Sequence, residues 1–270
     1  MSKIIILGIN ADIGFNISLK YLDDGFEVLG TFRSENKNTE FLRSKKNISL
    51  VQCDVLSKKD IKNLFEEVKI KKFEWTNMFS SIGSSEPIGN FFDLDFSTWE
   101  KSIAINFTSQ LSIIHGLYKL RDKNSLACVN LMAGGGTNSA MLNYSAYCVS
   151  KIGLIKMCEL LDAECEDLKI QIIGPGLVRT KTHEETLKAK QMAGSNYERV
   201  KEFMDSGEQG TSFEDIYRCL KWIDSSEKKV TSGRNFSVVH DSWGKEVLEA
   251  ELKKNLDMYK LRRKGNAIVI

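Results

Sequence analysis

Two side chains that can share a proton stand four residues apart, Tyr147 and Lys151, within the segment 143–151 (NYSAYCVSK). On a helix this spacing places both side chains on one face. A tyrosine with its usual pKa near ~10 is a poor acid at neutral pH, and a fixed cation beside it lowers that pKa toward the working range. The pair predicts a proton-transfer device, although the same spacing also occurs by chance on half-exposed helices. The surrounding elements must therefore decide between a proton-transfer pair and a chance spacing on an ordinary helix.

Those elements alternate between strand and helix patterns. Short apolar or β-branched runs predict strands at 3–7, 27–32, 48–53, 75–79, 126–131, 169–173 and 236–239. Amphipathic stretches predict helices at 15–22, 60–68, 97–120, from about 147 to 166, and at 213–225. In the third of these helices we expect Ser97 to be the N-cap. The alternation predicts an α/β fold with a doubly wound, mainly parallel seven-stranded sheet.

The composition is that of a soluble globular protein, with 42% hydrophobic and 27% charged residues in a chain of 270. That length suits one large domain or two small ones, and a net charge of +2 gives no reason to expect nucleic acid as a partner. The apolar run at 4–7 is too short for a signal peptide, and no stretch is long enough to span a membrane.

The cysteines and histidines give no sign of a metal site. The six cysteines form no Cys-x-x-Cys pair, and we expect them to be buried, reduced thiols of a cytoplasmic protein. His115, His183 and His240 are scattered along the chain, so we assign no metal.

A glycine-bearing turn, Gly8 to Gly14, follows the first predicted strand and opens the first helix. Backbone N–H groups and the helix dipole can hold a pyrophosphate there, although a plain strand-to-helix connection has the same pattern. The second strand is followed by Arg33, where a carboxylate would bind the ribose hydroxyls of NAD. Arg33 instead suits a 2′-phosphate, which favours NADP, while Glu35 leaves NAD open.

Several segments match the motifs of one family in the same order along the chain. The family's Thr-Gly-x-x-x-Gly-x-Gly motif is matched at Gly8 and Gly14, with Asp12 in place of the middle glycine. Ser80–Gly83 stands where the family has Asn-Asn-Ala-Gly, and Tyr147 with Lys151 matches its catalytic pair. The chain thus resembles the short-chain dehydrogenase/reductases, single-domain NAD(P)-dependent Rossmann oxidoreductases, from about residue 3 to residue 241.

The resemblance implies roles for individual residues. Asn106, which sequence alone would assign either to structure or to a polar relay, would hold a proton-relay water, Asp54 would contact adenine, and Thr180 would help to hold the nicotinamide carboxamide. With Arg33 added, the predicted cofactor-binding residues are Gly8, Asp12, Ile13, Gly14, Arg33, Asp54, Val55, Ser81, Gly83, Tyr147, Lys151, Pro175, Gly176 and Thr180.

One departure concerns the family's catalytic serine, expected about two residues past the fifth strand. Met132, Ala133 and Gly134 stand there, and none has a hydroxyl. Thr137 or Ser139, in a loop freed by three glycines, is predicted to take the role. Otherwise a water or a substrate group polarises the carbonyl, or the enzyme is slow or inactive.

The resemblance implies hydride transfer between nicotinamide and a carbonyl or secondary alcohol, with Tyr147 as proton donor. It is closest, at 134–138 (GGGTN) and 232–243 (SGRNFSVVHDSW), to members associated with bacterial surface-polysaccharide and sugar-nucleotide pathways. A cofactor-retaining epimerase or dehydratase, and a regulator that binds NADP without turnover, stay open as alternatives.

Two outer segments complete the prediction. In the domain 1–243, the polar stretch 181–212 is expected to form a lid whose cations suit a phosphorylated or nucleotide-linked sugar, or simply face solvent. Its cations are Lys181, His183, Lys188, Lys190 and Arg199. Asp241 and Trp243 are expected to close the substrate pocket. The extension 244–270 predicts a helix that packs on a second subunit of a homodimer or homotetramer, with nucleic-acid binding by its basic cluster a weaker alternative.

Overall fold

The computed structural model describes residues 2–133, 136–137 and 139–263. Seven parallel strands form one sheet in the order β3-β2-β1-β4-β5-β6-β7. The strands are β1 Lys3–Leu7, β2 Glu27–Phe32, β3 Ile48–Gln52, β4 Asn77–Ser80, β5 Ala127–Met132, β6 Leu168–Gly174 and β7 Asn235–Ser237. The order reverses between β1 and β4, and in such sheets ligands bind beyond the carboxyl ends of the strands at that point.

Helices connect the strands and cover both faces of the sheet. They are α1 Asp12–Asp23, α2 Lys37–Arg43, α3 Lys58–Ile70, α4 Phe96–Ile103, α5 Ser109–Tyr118, α6 Ser145–Glu164, α7 Thr182–Ala189, α8 Ser195–Asp205, α9 Phe213–Ser225, α10 Lys228–Thr231 and α11 Glu246–Lys254. The predicted doubly wound, single-domain fold is thus confirmed.

The side-chain alternation of the strands divides the core into two layers. In β1, Ile5 and Leu7 join the layer beneath α3, α5 and α6, whereas Ile4 and Ile6 join the layer beneath α1, α9 and α11. Because both faces are covered, the central strands are almost continuously apolar, which is why their sequence pattern was clear.

The predicted helix 97–120 is interrupted and begins differently from the prediction. Asp95, not Ser97, is the N-cap, since its side chain accepts hydrogen bonds from the backbone N–H groups of Ser97 and Thr98. A π-helical turn, Ala104–Thr108, separates α4 from α5. Single π turns of this kind are frequent at functional sites.

Helix α11 in the extension 244–270 packs against the core of its own chain. Leu248 and Leu252 of α11 are buried in the core layer beside α9, so the apolar face predicted to meet a second subunit is already covered. Arg234, buried just before β7, donates hydrogen bonds to the carbonyls of Leu252, Asn255 and Met258. Leu248 and Leu252 are therefore not available to a second subunit, whereas Leu256 is 63% exposed, and a subunit contact by the rest of the extension stays a prediction.

The described residues contain neither a disulfide nor a cluster of potential metal ligands. All six cysteines are free, and four are buried, while Cys148 and Cys165 are half-buried. Within the described ranges, no group of three or more potential metal-binding side chains occurs. None of the helices in those ranges is both long and apolar enough to cross a membrane.

Candidate active site

The turn between β1 and α1 is built closely around its glycines. Gly8 has a φ of +77°, and a Cβ placed on Gly14 would lie 2.3 Å from the carbonyl oxygen of Gly8. Such a contact is impossible for any other residue type without moving the backbone. The first two residues of the turn are held by Thr31 at the end of β2, whose carbonyl accepts from the backbone N–H of Ile9 at 2.8 Å.

Two adjoining cavities open at this edge of the sheet. The first, which we call the turn cavity, has a volume of about 330 Å³ and lies between the glycine turn and the segment that begins the lid. The second, the strand-end cavity, has a volume of about 410 Å³ and lies beyond the ends of the first four strands. The predicted cofactor residues that line them are Gly8, Asp12, Ile13, Arg33, Asp54, Val55, Ser81, Gly83 and Thr180.

Arg33 lines both cavities and is exposed. The carboxylate of Glu35, which left the NAD alternative open, forms an ion pair with Arg43 on α2. A guanidinium can bind a phosphate through two parallel hydrogen bonds, so Arg33 is the residue at this end of the cleft that suits a 2′-phosphate.

Tyr147 and Lys151 lie on one face of α6, as their spacing predicts. The Lys151 Nζ is 5.7 Å from the centroid of the Tyr147 ring. Lys151 is buried and donates hydrogen bonds to the carbonyls of Met132, at 2.9 Å, and Ile82, at 3.3 Å. Burial without a carboxylate partner lowers the pKa of Lys151 to about 8, because desolvation disfavours the charged form.

Gly83 marks the place where these groups meet the strand-end cavity. A Cβ added at Gly83 would lie 3.4 Å from Asn106 Oδ1 and 3.5 Å from Lys151 Nζ. Lys151 and Asn106 therefore converge on one backbone position just after β4. Because that position lines the strand-end cavity, a ligand there would be within reach of Lys151.

The Asn106 side chain is engaged by protein on every side. Its Oδ1 accepts from the backbone N–H of Ser84, and its Nδ2 donates to Ser84 O and to both oxygens of Ser102. The residue is completely buried and lies in the π-helical turn. Its evident role is to hold the loop after β4 in place, and the relay water stays a prediction.

Thr137 and Ser139, which are predicted to take the role of the family's catalytic serine, lie in a loop that is only partly described. Thr137 is half-buried and Ser139 is exposed, while Gly134, Gly135 and Asn138 lie outside the described residues. Gly136 packs closely on α6, because a Cβ there would lie 2.8 Å from the Sγ of Cys148. This contact places Gly136 against the first turn of α6, and the assignment of Thr137 or Ser139 stays a prediction.

The lid is tied to the walls of the cleft by contacts that sequence reasoning missed. The backbone N–H of Lys181 donates to the Asp12 carboxylate at 2.8 Å. The Glu185 carboxylate of α7 accepts from the backbone N–H of Ser85, at 2.6 Å, and from the Ser84 hydroxyl, at 3.3 Å. Burial raises the pKa of Glu185, which these hydrogen bonds only partly offset. No sequence signal distinguishes Glu185 from the other charges of the lid.

Other predicted pocket residues are placed differently. Tyr144 stands three residues before Tyr147 without a lysine four residues later, which predicts a pocket wall in place of a catalytic role. It is buried and donates from its hydroxyl to Thr186 of α7 at 3.0 Å. His183, counted among the lid cations, is half-buried, with Nε2 hydrogen-bonded to the carbonyl of Val178. Burial lowers the pKa of His183, which makes a cationic role at neutral pH unsuitable.

The segment after β7 folds back on itself. Asp241 accepts a hydrogen bond from the backbone N–H of Ser237, and the Trp243 Nε1 donates to the carbonyl of Val238. Neither residue lines the two cavities, and Tyr147 does not line them either, so the expectation that Asp241 and Trp243 close a substrate pocket stays a prediction. Pro175 and Gly176, which follow β6, also lie outside both linings, whereas Thr180 lines the turn cavity.

The described residues suit a dinucleotide over most of the cleft. The glycine turn leaves no room for a side chain at Gly14, and Arg33 offers a guanidinium. Gly83 lines the strand-end cavity and packs beside Lys151. The fit is poorer at the turn itself, where Asp12 presents a carboxylate at the first residue of α1. A helix N-terminus normally favours the anion of a ligand at such a position.

Known proteins resemble this chain in sequence and in fold. A family model described as enoyl-(acyl carrier protein) reductase matches residues 8–239. Short-chain dehydrogenase reductase 3c of Arabidopsis thaliana is 26% identical over 174 residues, which cover 61% of this chain and 64% of that protein. The chain thus spans less than two thirds of the length of the curated relatives that it first matches.

Solved structures show the same fold at lower identity. An actinorhodin polyketide ketoreductase with NADPH superposes with a TM-score of 0.76 at 16% identity, covering 88% of this chain and 95% of the other. A 4-hydroxyisoleucine dehydrogenase complexed with NADH gives a TM-score of 0.72 at 21% identity, covering 88% and 96%. Of these two structures, one contains NADPH and the other contains NADH.

Proposed function

Since this chain belongs to the short-chain dehydrogenase/reductase family of NAD(P)-dependent oxidoreductases, we propose that it transfers a hydride between NADP and the carbonyl or secondary alcohol of a small molecule. The observation that carries the proposal is the convergence of Lys151 and Asn106 on Gly83, beside the cleft, with Tyr147 on the same helix face. When bound, a nicotinamide cofactor supplies or accepts the hydride.

Tyr147 acts in this proposal as the proton donor. Reduction of a carbonyl places negative charge on its oxygen, and the Tyr147 hydroxyl would give its proton to that oxygen. Lys151 would stabilise the phenolate left behind, since a fixed cation near the ring favours the charged form. A hydroxyl of Thr137 or Ser139 would hydrogen-bond the same oxygen, a type of contact that is worth about 3–4 kcal/mol in other enzymes.

The decisive experiment is Tyr147→Phe in the purified chain, with NADPH oxidation followed on a panel of carbonyl compounds. We expect turnover to fall at least about 100-fold, since general acid catalysis contributes that much or more, while NADPH binding changes little. Tyr118→Phe is the matched control, because the Tyr118 hydroxyl bonds Asp167 outside both cavities. Turnover within a few-fold of wild type in Tyr147→Phe would refute the assignment.

The preference for NADP is supported by Arg33 and by the ion pair that occupies Glu35. Arg33→Ala is expected to weaken NADPH binding by about tenfold, as for the loss of one charge-assisted contact, and to leave NADH within about twofold. Titration of both cofactors by fluorescence measures this. Equal losses for NADPH and NADH would contradict a role in binding the 2′-phosphate.

For the substrate, we propose a polar carbonyl compound, with a phosphorylated or nucleotide-linked keto-sugar as the first class to test. Support comes from the exposed lid cations Lys181, Lys190 and Arg199, whereas His183 faces inward and Lys188 pairs with Glu184. Keto-sugar nucleotides should be reduced faster than apolar ketones of similar size. Nicotinamide retained through purification would instead favour an epimerase or dehydratase, and binding without turnover would favour a regulator.

A further inference from the structure

The carboxylate of Asp12 occupies an unusual position for a chain that binds an anionic cofactor. It stands at the first residue of α1, in the glycine turn, and lines the turn cavity. The partial positive charge of a helix N-terminus favours an anion there. In this structure the protein itself supplies that anion.

The same carboxylate holds the start of the lid. Its Oδ2 accepts the backbone N–H of Lys181 at 2.8 Å, a contact between residues 169 positions apart in the chain. Within the described part of the chain, no lysine or arginine side chain forms an ion pair with Asp12. Arg33 and Lys181 line the same cavity, but in the described residues neither side chain forms an ion pair with the Asp12 carboxylate.

We propose that Asp12 is a built-in competitor of the cofactor pyrophosphate, which weakens dinucleotide binding and holds the lid closed over the turn cavity until the cofactor takes its place. This inference rests on the proposed function, because it concerns the same cleft. It concerns the part of the cofactor that NAD and NADP share, so it predicts equal effects on both. The Asp12 carboxylate would thereby act as a determinant of cofactor affinity and not of cofactor choice.

Two substitutions separate the charge of Asp12 from its hydrogen bond. Asp12→Asn removes the charge and keeps an oxygen that can accept from Lys181, whereas Asp12→Gly removes both. Asp23→Asn is the matched control, because it removes the same charge from the exposed last residue of α1. Eleven residues of helix at about 1.5 Å each place Asp23 roughly 16 Å from Asp12.

The experiment is calorimetric titration of each variant with NADPH, NADH and ADP-ribose, with trypsin cleavage of the ligand-free lid as a second readout. We expect Asp12→Asn and Asp12→Gly to bind all three ligands about tenfold more tightly, since a like charge close to a pyrophosphate costs about that much in partly screened water. Asp23→Asn should match wild type. Trypsin should cleave within 181–212 faster in Asp12→Gly than in wild type.

The outcomes distinguish this inference from the proposed function. If wild type binds NADPH or NADH and Asp12→Asn binds it no more tightly, the inference is overturned and the proposed function stands. If wild type and every variant fail to bind either cofactor at millimolar concentration, both are overturned. Tightening confined to NADPH would also overturn the inference, because the pyrophosphate is common to both cofactors.

Discussion

Replacing Lys151 by methionine tests the electrostatics of the site without a substrate. The Nζ is buried and donates to two backbone carbonyls, and none of the carboxylates that the structure describes forms an ion pair with it. Desolvation therefore lowers the pKa of Lys151 from 10.5 to about 8. The folded protein therefore binds a proton at this site less tightly than the unfolded chain does. Below pH 8 the charged ammonium destabilises the fold, and this cost disappears as the pH rises toward 10.5.

The size of the effect follows from the difference in pKa. A shift from 10.5 to about 8 is about 2.5 pH units, and at 1.36 kcal/mol per unit it corresponds to a full cost of about 3.4 kcal/mol at low pH. At pH 7 nearly all of this cost is present, and at pH 10 about 0.8 kcal/mol of it is left. The free energy of unfolding of wild type, relative to Lys151→Met, should therefore rise by about 2.5 kcal/mol between pH 7 and pH 10.

Urea unfolding of both proteins at pH 7, 8, 9 and 10 measures this difference. Both proteins carry Tyr147→Phe in this experiment, because the Tyr147 ring lies 5.7 Å from the Lys151 Nζ and its titration would depend on that cation. Titration of the other tyrosines and the cysteines then affects both proteins alike and cancels when they are subtracted. The lost hydrogen bonds to Ile82 and Met132 add an offset that does not depend on pH. A difference that stays constant within about 0.5 kcal/mol, or that falls with pH, would refute the claim that the buried ammonium of Lys151 destabilises the folded protein.

Two further substitutions test the turn and the extension. Gly14→Ala should destabilise the fold by about 2–3 kcal/mol in urea unfolding, because its Cβ would lie 2.3 Å from the Gly8 carbonyl oxygen, and an unchanged midpoint would contradict this packing. Leu252→Ala should cost about 2–5 kcal/mol independently of protein concentration, since Leu252 is fully buried in its own chain. Leu256→Ala, at a side chain that is 63% exposed, is the matched control and should change stability by less than about 0.5 kcal/mol.

The strands and the acid–base pair were predictable because each has a local signal. The runs of β1 and β2 were predicted with the bounds that the structure gives, since a parallel strand buried on both faces is apolar throughout. Tyr147 and Lys151 face the same way because four residues make about one turn of helix, whatever lies around them.

Most misses come from contacts between residues that are far apart in the chain. The short helix α2 is different: it spans only two turns, and its capping box has Thr39 where the usual signature has Glu or Gln. The π-helical turn around Asn106 depends on contacts with Ser84, 22 residues earlier. The contacts of the lid join residues about 100 or more positions apart, and neither segment has a sequence pattern that indicates the residue it contacts.

The anchoring of the extension by Arg234 bears on where this protein can be shortened. The family match ends at residue 239, yet the acceptors of the Arg234 guanidinium come from Leu252, Asn255 and Met258. A gene truncated at the end of the match would remove all three of these carbonyl acceptors together with Leu248 and Leu252, which are buried in the core. The boundary of homology and the boundary of the cooperative folding unit are therefore different places in this chain.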